Sequence, residues 1–141
     1  RMSKLIEMLK RHEGVETHAY TDTVGKVTVG VGRNIDPDGG LGLSPREINF
    51  LLQNDIDRVE EELVDNVPWI IYIEGPRMDA LVDICFNLGL PRFMKFKKAL
   101  AAGAFGDWEL CADEFMDSRW ASQVGQRAVE LTNIIRSGEY E

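Results

Sequence analysis

At 141 residues, 44% hydrophobic and 28% charged, the chain has the size and composition of one ordinary globular domain with a real core. Its formal net charge of −8 argues against a nucleic-acid binder, which needs a basic stripe to displace counterions. No stretch near the N-terminus is apolar enough for a signal peptide or a membrane span, because Lys4, Glu7, Lys10 and Arg11 interrupt it.

Residues 3–12 are predicted as a helix that Ser3 can cap, with Leu5, Ile6, Met8 and Leu9 as its apolar stripe and Gly14 as its stop. A hairpin follows. Val27, Val29 and Val31 alternate with Lys26, Thr28 and Gly30, which predicts one buried strand face and one open face carrying Thr28. Gly25 suits the left-handed position of the hairpin loop. The segment DPDGGLG from Asp36 to Gly42 matches the opening of a calcium loop but lacks the later ligands, so it is expected to be a plain turn.

Ser44, Pro45 and Glu47 make a strong helix start, with a capping Ser, Pro at the first position and a capping-box Glu. The helix is predicted to reach about residue 66, with Ile48, Leu52, Ile56, Val59 and Leu63 on one face and an acidic, solvated opposite face. At about 1.5 Å per residue it spans about 30 Å, enough to join two lobes. Pro68 breaks it. Further helices are predicted from Gly75-Pro76 to near Gly89, over 92–102 with an end at Gly103, from Asp107, and over about 126–136 with an end at Gly138. Cys85 and Cys111 lie in apolar helical patterns, which favours buried free thiols, and no cluster suggests a metal.

The expected fold class is therefore α+β and mostly helical, as a single domain over 1–141. It comprises a small antiparallel β-hairpin lobe at about 13–45, a connecting helix at about 45–66 and a helical lobe at about 67–141 packed with helix 3–12.

The chemistry concentrates between Lys10 and Asn34. Glu13 stands at a helix end, Asp22 enters a turn and Thr28 lies mid-strand. Glycoside hydrolysis needs one protonated carboxyl and one ionised carboxylate flanking the scissile bond. The partial negative charge of a helix C-terminus disfavours ionisation, which suits Glu13 to the acid, while the polar turn suits Asp22 to the carboxylate. On the residues alone, a turn-capping aspartate and a surface glutamate explain the same positions, and that reading stays open. His12 and His18 do not form the two-histidine motif of a zinc protease.

The spacing Glu13-x8-Asp22-x5-Thr28, within HEG and AYTDTVGKVTVGVG, resembles the phage-type lysozymes, the endolysin family typified by the T-even phages. So do Phe86-Asn87-Leu88-Gly89, Ser118-Arg119-Trp120, Gln126-Arg127-Ala128 and Arg136-Ser137-Gly138-Glu139-Tyr140, in the family's order across nearly the whole chain. The resemblance implies a lysozyme-like fold and a muramidase that cleaves the β-1,4 link between N-acetylmuramic acid and N-acetylglucosamine in bacterial peptidoglycan. It implies Glu13 as general acid, Asp22 as the carboxylate activating water, Thr28 as a holder of that water, and inversion of configuration. Arg127 is implied as a partner of Glu13, and Phe86 and Asn87 as lining of the sugar sites. No cofactor and no metal are expected, and a monomer is. With no export signal evident, the resemblance implies residence in the host cytoplasm and action on the wall after a phage holin opens the membrane. The rivals are a lytic transglycosylase, which uses the same acid without an activated water, and a non-catalytic wall-binding module. The family's Ser-rich segment after the sugar-lining stretch reads Phe93-Met94-Lys95-Phe96 here, and Arg33 has no assigned role.

Overall fold

The computed structural model describes residues 2–141 and has the expected α+β, mostly helical architecture. The chain divides into two compact units, Arg1–Phe50 and Leu51–Glu141.

The first unit begins with helix α1, Met2–Glu13. Ser3 lies inside it rather than capping it, because helical geometry already starts at Met2. Gly14 ends it with φ +80° and an N–H donated to the Lys10 carbonyl at 2.9 Å. Leu5 is half-buried, whereas Ile6, Met8 and Leu9 keep about two-fifths of their surface exposed.

Three antiparallel strands follow in the order β1 (Glu16–Thr21), β2 (Val27–Gly30) and β3 (Arg33–Asn34). Tyr20 faces Thr28 and Thr21 faces Val27, with an irregularity between Glu16 and Tyr20; on the other edge Thr28 faces Asn34 and Val29 faces Arg33. Gly25 takes φ +85° in the hairpin loop, as expected. The exposure pattern of β2 and the turn after it departs from the simple alternation. Thr28, expected on the open face, is 4% exposed, and Val31, expected on the buried one, is 39% exposed. The reason is the third strand: β2 is central, so Thr28 is flanked by Tyr20 on one side and Asn34 on the other. At two residues, β3 is too short to show a period in the sequence.

Helix α2 runs Pro45–Asn66. Its capping box forms as read: the Glu47 N–H donates to Ser44 Oγ at 3.1 Å, and the Ser44 N–H donates to Glu47 Oε1 at 2.9 Å. Of its apolar face, Val59 and Leu63 are buried and Ile48 and Leu52 are exposed.

The second unit holds the core. A short 3-10 turn at Pro68–Tyr72 precedes α3 (Pro76–Leu88), α4 (Leu90–Phe93), α5 (Lys97–Ala104), α6 (Trp108–Met116), α7 (Arg119–Val124) and α8 (Gln126–Ser137). α6 packs against both α5 and α8, and α8 also packs on α3, around Leu81, Ile84, Phe93, Phe115 and Ile135, all fully buried. The single helix expected over 92–102 is two pieces. Phe96 leaves helical geometry (φ −77°, ψ 58°) and turns its ring onto Phe115 at 4.9 Å and edge-on to Trp120 at 6.4 Å. Aromatic packing of this kind outweighs one residue's helical bonding. Gly103 sits one residue before the end of α5, and it is a glycine that lets the Trp69 ring approach, since a Cβ there would lie 2.5 Å from it. Asp107 caps α6 through the Leu110 N–H at 3.1 Å, and Gly138 ends α8 in the left-handed conformation.

Candidate active site

Glu13 is the last residue of α1, so its side chain leaves the helix where Gly14 turns the chain toward β1. Its neighbours Lys10 and Arg11 put positive charge in the last turn of an otherwise acidic protein, complementing the helix dipole. The carboxylate of Glu13 lies directly over Gly32, in the turn between β2 and β3: a Cβ built on Gly32 would fall 2.5 Å from Glu13 Oε2. The helix end and the sheet are thereby brought together within one unit.

Asp22 occupies the first position of the β1–β2 loop and organises it. Its Oδ1 accepts the N–H groups of Val24 at 3.0 Å and Lys26 at 2.8 Å, while its own N–H donates to the Lys26 carbonyl at 2.9 Å. Short polar side chains hold turns this way. Among the described residues Oδ2 accepts no hydrogen bond, so one carboxylate oxygen is pinned and the other is without a protein partner. The turn-capping role considered from the sequence is therefore present, and it uses only one of the two carboxylate oxygens.

Thr28 donates its hydroxyl hydrogen to the Lys26 carbonyl at 3.0 Å. Among the described residues its oxygen accepts no hydrogen bond, so its lone pairs can accept from a water O–H. The loop at Asp36 is a plain turn, as expected. Asp36 accepts the N–H groups of Val27 at 3.0 Å and Asp38 at 2.8 Å, and these bonds hold its carboxyl below the usual range.

Arg33, without a role from the sequence, forks onto Glu47. Nη1 donates to Oε1 at 2.8 Å, Nη2 meets Oε2 at 2.7 Å, and Nη1 also reaches the Gly42 carbonyl at 3.1 Å. The Arg33 hydrogen bond, with the Ser44 N–H behind it, holds the Glu47 carboxyl down to about 2. The pair ties β3 to the first turn of α2. The fourteen-residue separation left no local signal for it.

The remaining site candidates lie in the second unit. Phe86, 41% exposed, lines a groove of about 460 Å³ with Leu52, Ile56, Val82, Asp83 and Arg127. Arg127 is held by Asp83, with Nη2 at 2.6 Å and Nε at 2.9 Å from Oδ1. Asp83 went unnoticed in the sequence. Asn87 uses its amide oxygen to accept the indole N–H of buried Trp120 at 2.8 Å, which leaves its amide nitrogen for other partners. In the segment Phe93-Met94-Lys95-Phe96, the two phenylalanines pack with Phe115 in the core cluster and are structural.

A family model described as "Phage lysozyme" matches residues 10–137. Over 97% of its length the chain is 28% identical to the "Pre-baseplate central spike protein Gp5" of Enterobacteria phage T4, and it spans 28% of that protein. It is 26% identical to "Probable T4-type lysozyme 2" of Dictyostelium discoideum, over 97% of this chain and 96% of that one. It is 32% identical to the "Endolysin" of Salmonella phage P22 over 62% of each.

Proposed function

The chain belongs to the phage lysozyme family, and from that premise we propose that it hydrolyses the β-1,4 bond between N-acetylmuramic acid and N-acetylglucosamine in peptidoglycan, with inversion. Glu13 gives its proton to the leaving glycosidic oxygen. A water, held by the Thr28 oxygen and the unbonded Oδ2 of Asp22, attacks the anomeric carbon from the opposite face and passes its proton to Asp22. The glycosidic bond breaks, and a new hemiacetal forms on one fragment and a hydroxyl on the other. Proton exchange with solvent resets both carboxyls.

The observation that supports this reading best is the Asp22 loop. A carboxylate fixed through one oxygen by two backbone N–H groups, with its second oxygen open, suits the orientation of a nucleophilic water. An inverting pair should stand about 6.5–9.5 Å apart to admit that water. In the second unit we assign Phe86 and the Asn87 amide nitrogen to sugar contacts and Arg127 to support of the acid, as the resemblance implies. We further assign the enzyme to host lysis, with access to the wall through a holin. The test is clearance of permeabilised bacteria by the parent protein, with none by Glu13→Gln.

The match to a small part of a spike protein favours a second setting for the same chemistry, in which this lysozyme serves particle entry. Immunodetection decides between them: the chain within purified particles supports entry, and the chain free in infected cells supports lysis from within.

A further inference from the structure

The proposed mechanism leaves Gly32 unused, yet the Glu13 carboxylate lies against it. A Cβ at this position would lie 2.5 Å from Oε2, 3.0 Å from Cδ and 3.3 Å from Cγ of Glu13, so any side chain here displaces the carboxylate. The backbone beneath cannot easily step aside. Val29 and Arg33 are paired across β2 and β3, and the Arg33 guanidinium is forked onto Glu47 and bonded to the Gly42 carbonyl. We propose that Gly32 is a positioning residue for Glu13: its bare Cα is the seat of the carboxylate, and the Arg33–Glu47 pair holds that seat in place. The catalytic consequence rests on Glu13 being the general acid; the seat itself does not.

Gly32 has φ +64°, so Gly32→Ala also strains the backbone. Gly39→Ala is the matched control, since Gly39 has φ +83° with nothing within 4 Å of an added Cβ. The two variants are compared with the parent by thermal midpoint, by the carboxyl carbon resonance of Glu13 at fixed pH (assigned with Glu13→Gln), and by kcat and KM on a soluble wall oligosaccharide. The expected result is that Gly32→Ala moves the Glu13 resonance and lowers kcat by about tenfold to hundredfold with little change in KM, the effect of a misplaced reacting group. Gly39→Ala is expected to change the midpoint alone. The proposal is overturned if the Glu13 resonance in Gly32→Ala stays where it is in Gly39→Ala. A parent without wall hydrolysis would remove the proposed function, and the resonance would still decide the seat. If Gly32→Ala does not fold, Glu13→Asp is added to it, because the shorter side chain withdraws the carboxylate from the new Cβ. Recovery of the folded state supports the seat, and failure to recover means that backbone strain alone governs Gly32.

Discussion

Asn87 and Trp120 should be energetically coupled. The Trp120 side chain is 3% exposed, and its only polar atom donates to the Asn87 amide oxygen at 2.8 Å, joining the end of α3 to α7 across a separation of 33 residues. Removing the acceptor strands a buried N–H, a loss of about 1–3 kcal/mol. Asn87 itself is exposed, so water can reach part of the vacated space, and the expected cost of Asn87→Ala falls near the lower end of that range. For a chain of this length, about 1 kcal/mol corresponds to a drop of about 2–4 °C in thermal midpoint. The assay is a double-mutant cycle with Trp120→Phe, which keeps an aromatic ring but deletes the donor. Asn87→Ala should cost about 1 kcal/mol more in the Trp120 background than in the Phe background. Equal costs in the two backgrounds would mean that the hydrogen bond contributes nothing and would refute the reasoning. A rise in KM for Asn87→Ala, measured well below the midpoint, would be the separate signature of a sugar contact by the amide nitrogen.

The Arg33–Glu47 pair predicts a pH signature. Arg33 depresses the Glu47 carboxyl from 4.5 to about 2 in the folded state, so its stabilisation is complete above about 4.5 and is lost as pH falls through about 2. Parent and Glu47→Gln should therefore differ most in thermal midpoint at neutral pH and converge as the pH is lowered through that window; a constant gap would contradict the pairing. Burial pushes the Cys85 thiol up to about 11 and the Cys111 thiol to about 12. Both should stay unmodified by a thiol reagent at pH about 8 until the protein unfolds, and rapid native labelling of either would count against its buried placement. Arg127→Ala should cost only about 0–1 kcal/mol, because both partners of its Asp83 bridge are about two-fifths exposed. A change in the acid limb of its pH–activity profile would report support of the catalytic acid, and an unchanged profile would remove Arg127 from the site.

What the sequence revealed follows from how local each cause is. The stop at Gly14, the loop glycine Gly25, the capping box of Ser44 and Glu47, and the Asp107 cap each depend on a few adjacent residues, and each formed as read. The failures came from distant partners. The burial of Thr28 depends on β3, and the break at Phe96 depends on Phe115 and Trp120. Of the proposed site, Glu13, Asp22 and Thr28 were picked out by the resemblance of their spacing to the phage-type lysozymes. The partners of the candidate residues were not legible: Gly32 against Glu13, Glu47 against Arg33 and Asp83 against Arg127 are juxtapositions that only folding creates. A glycine on either side of Val31 was the one trace of close approach left in the sequence.

The most direct test of acid-catalysed attack by water is the digestion of purified peptidoglycan in heavy-oxygen water, with the released ends analysed by mass. The parent is expected to liberate N-acetylmuramic acid reducing ends carrying the solvent oxygen, and Glu13→Gln, folded to the same thermal midpoint, is expected to liberate almost none. Anhydro ends without solvent oxygen, or release by Glu13→Gln at the parent's rate, would contradict that mechanism.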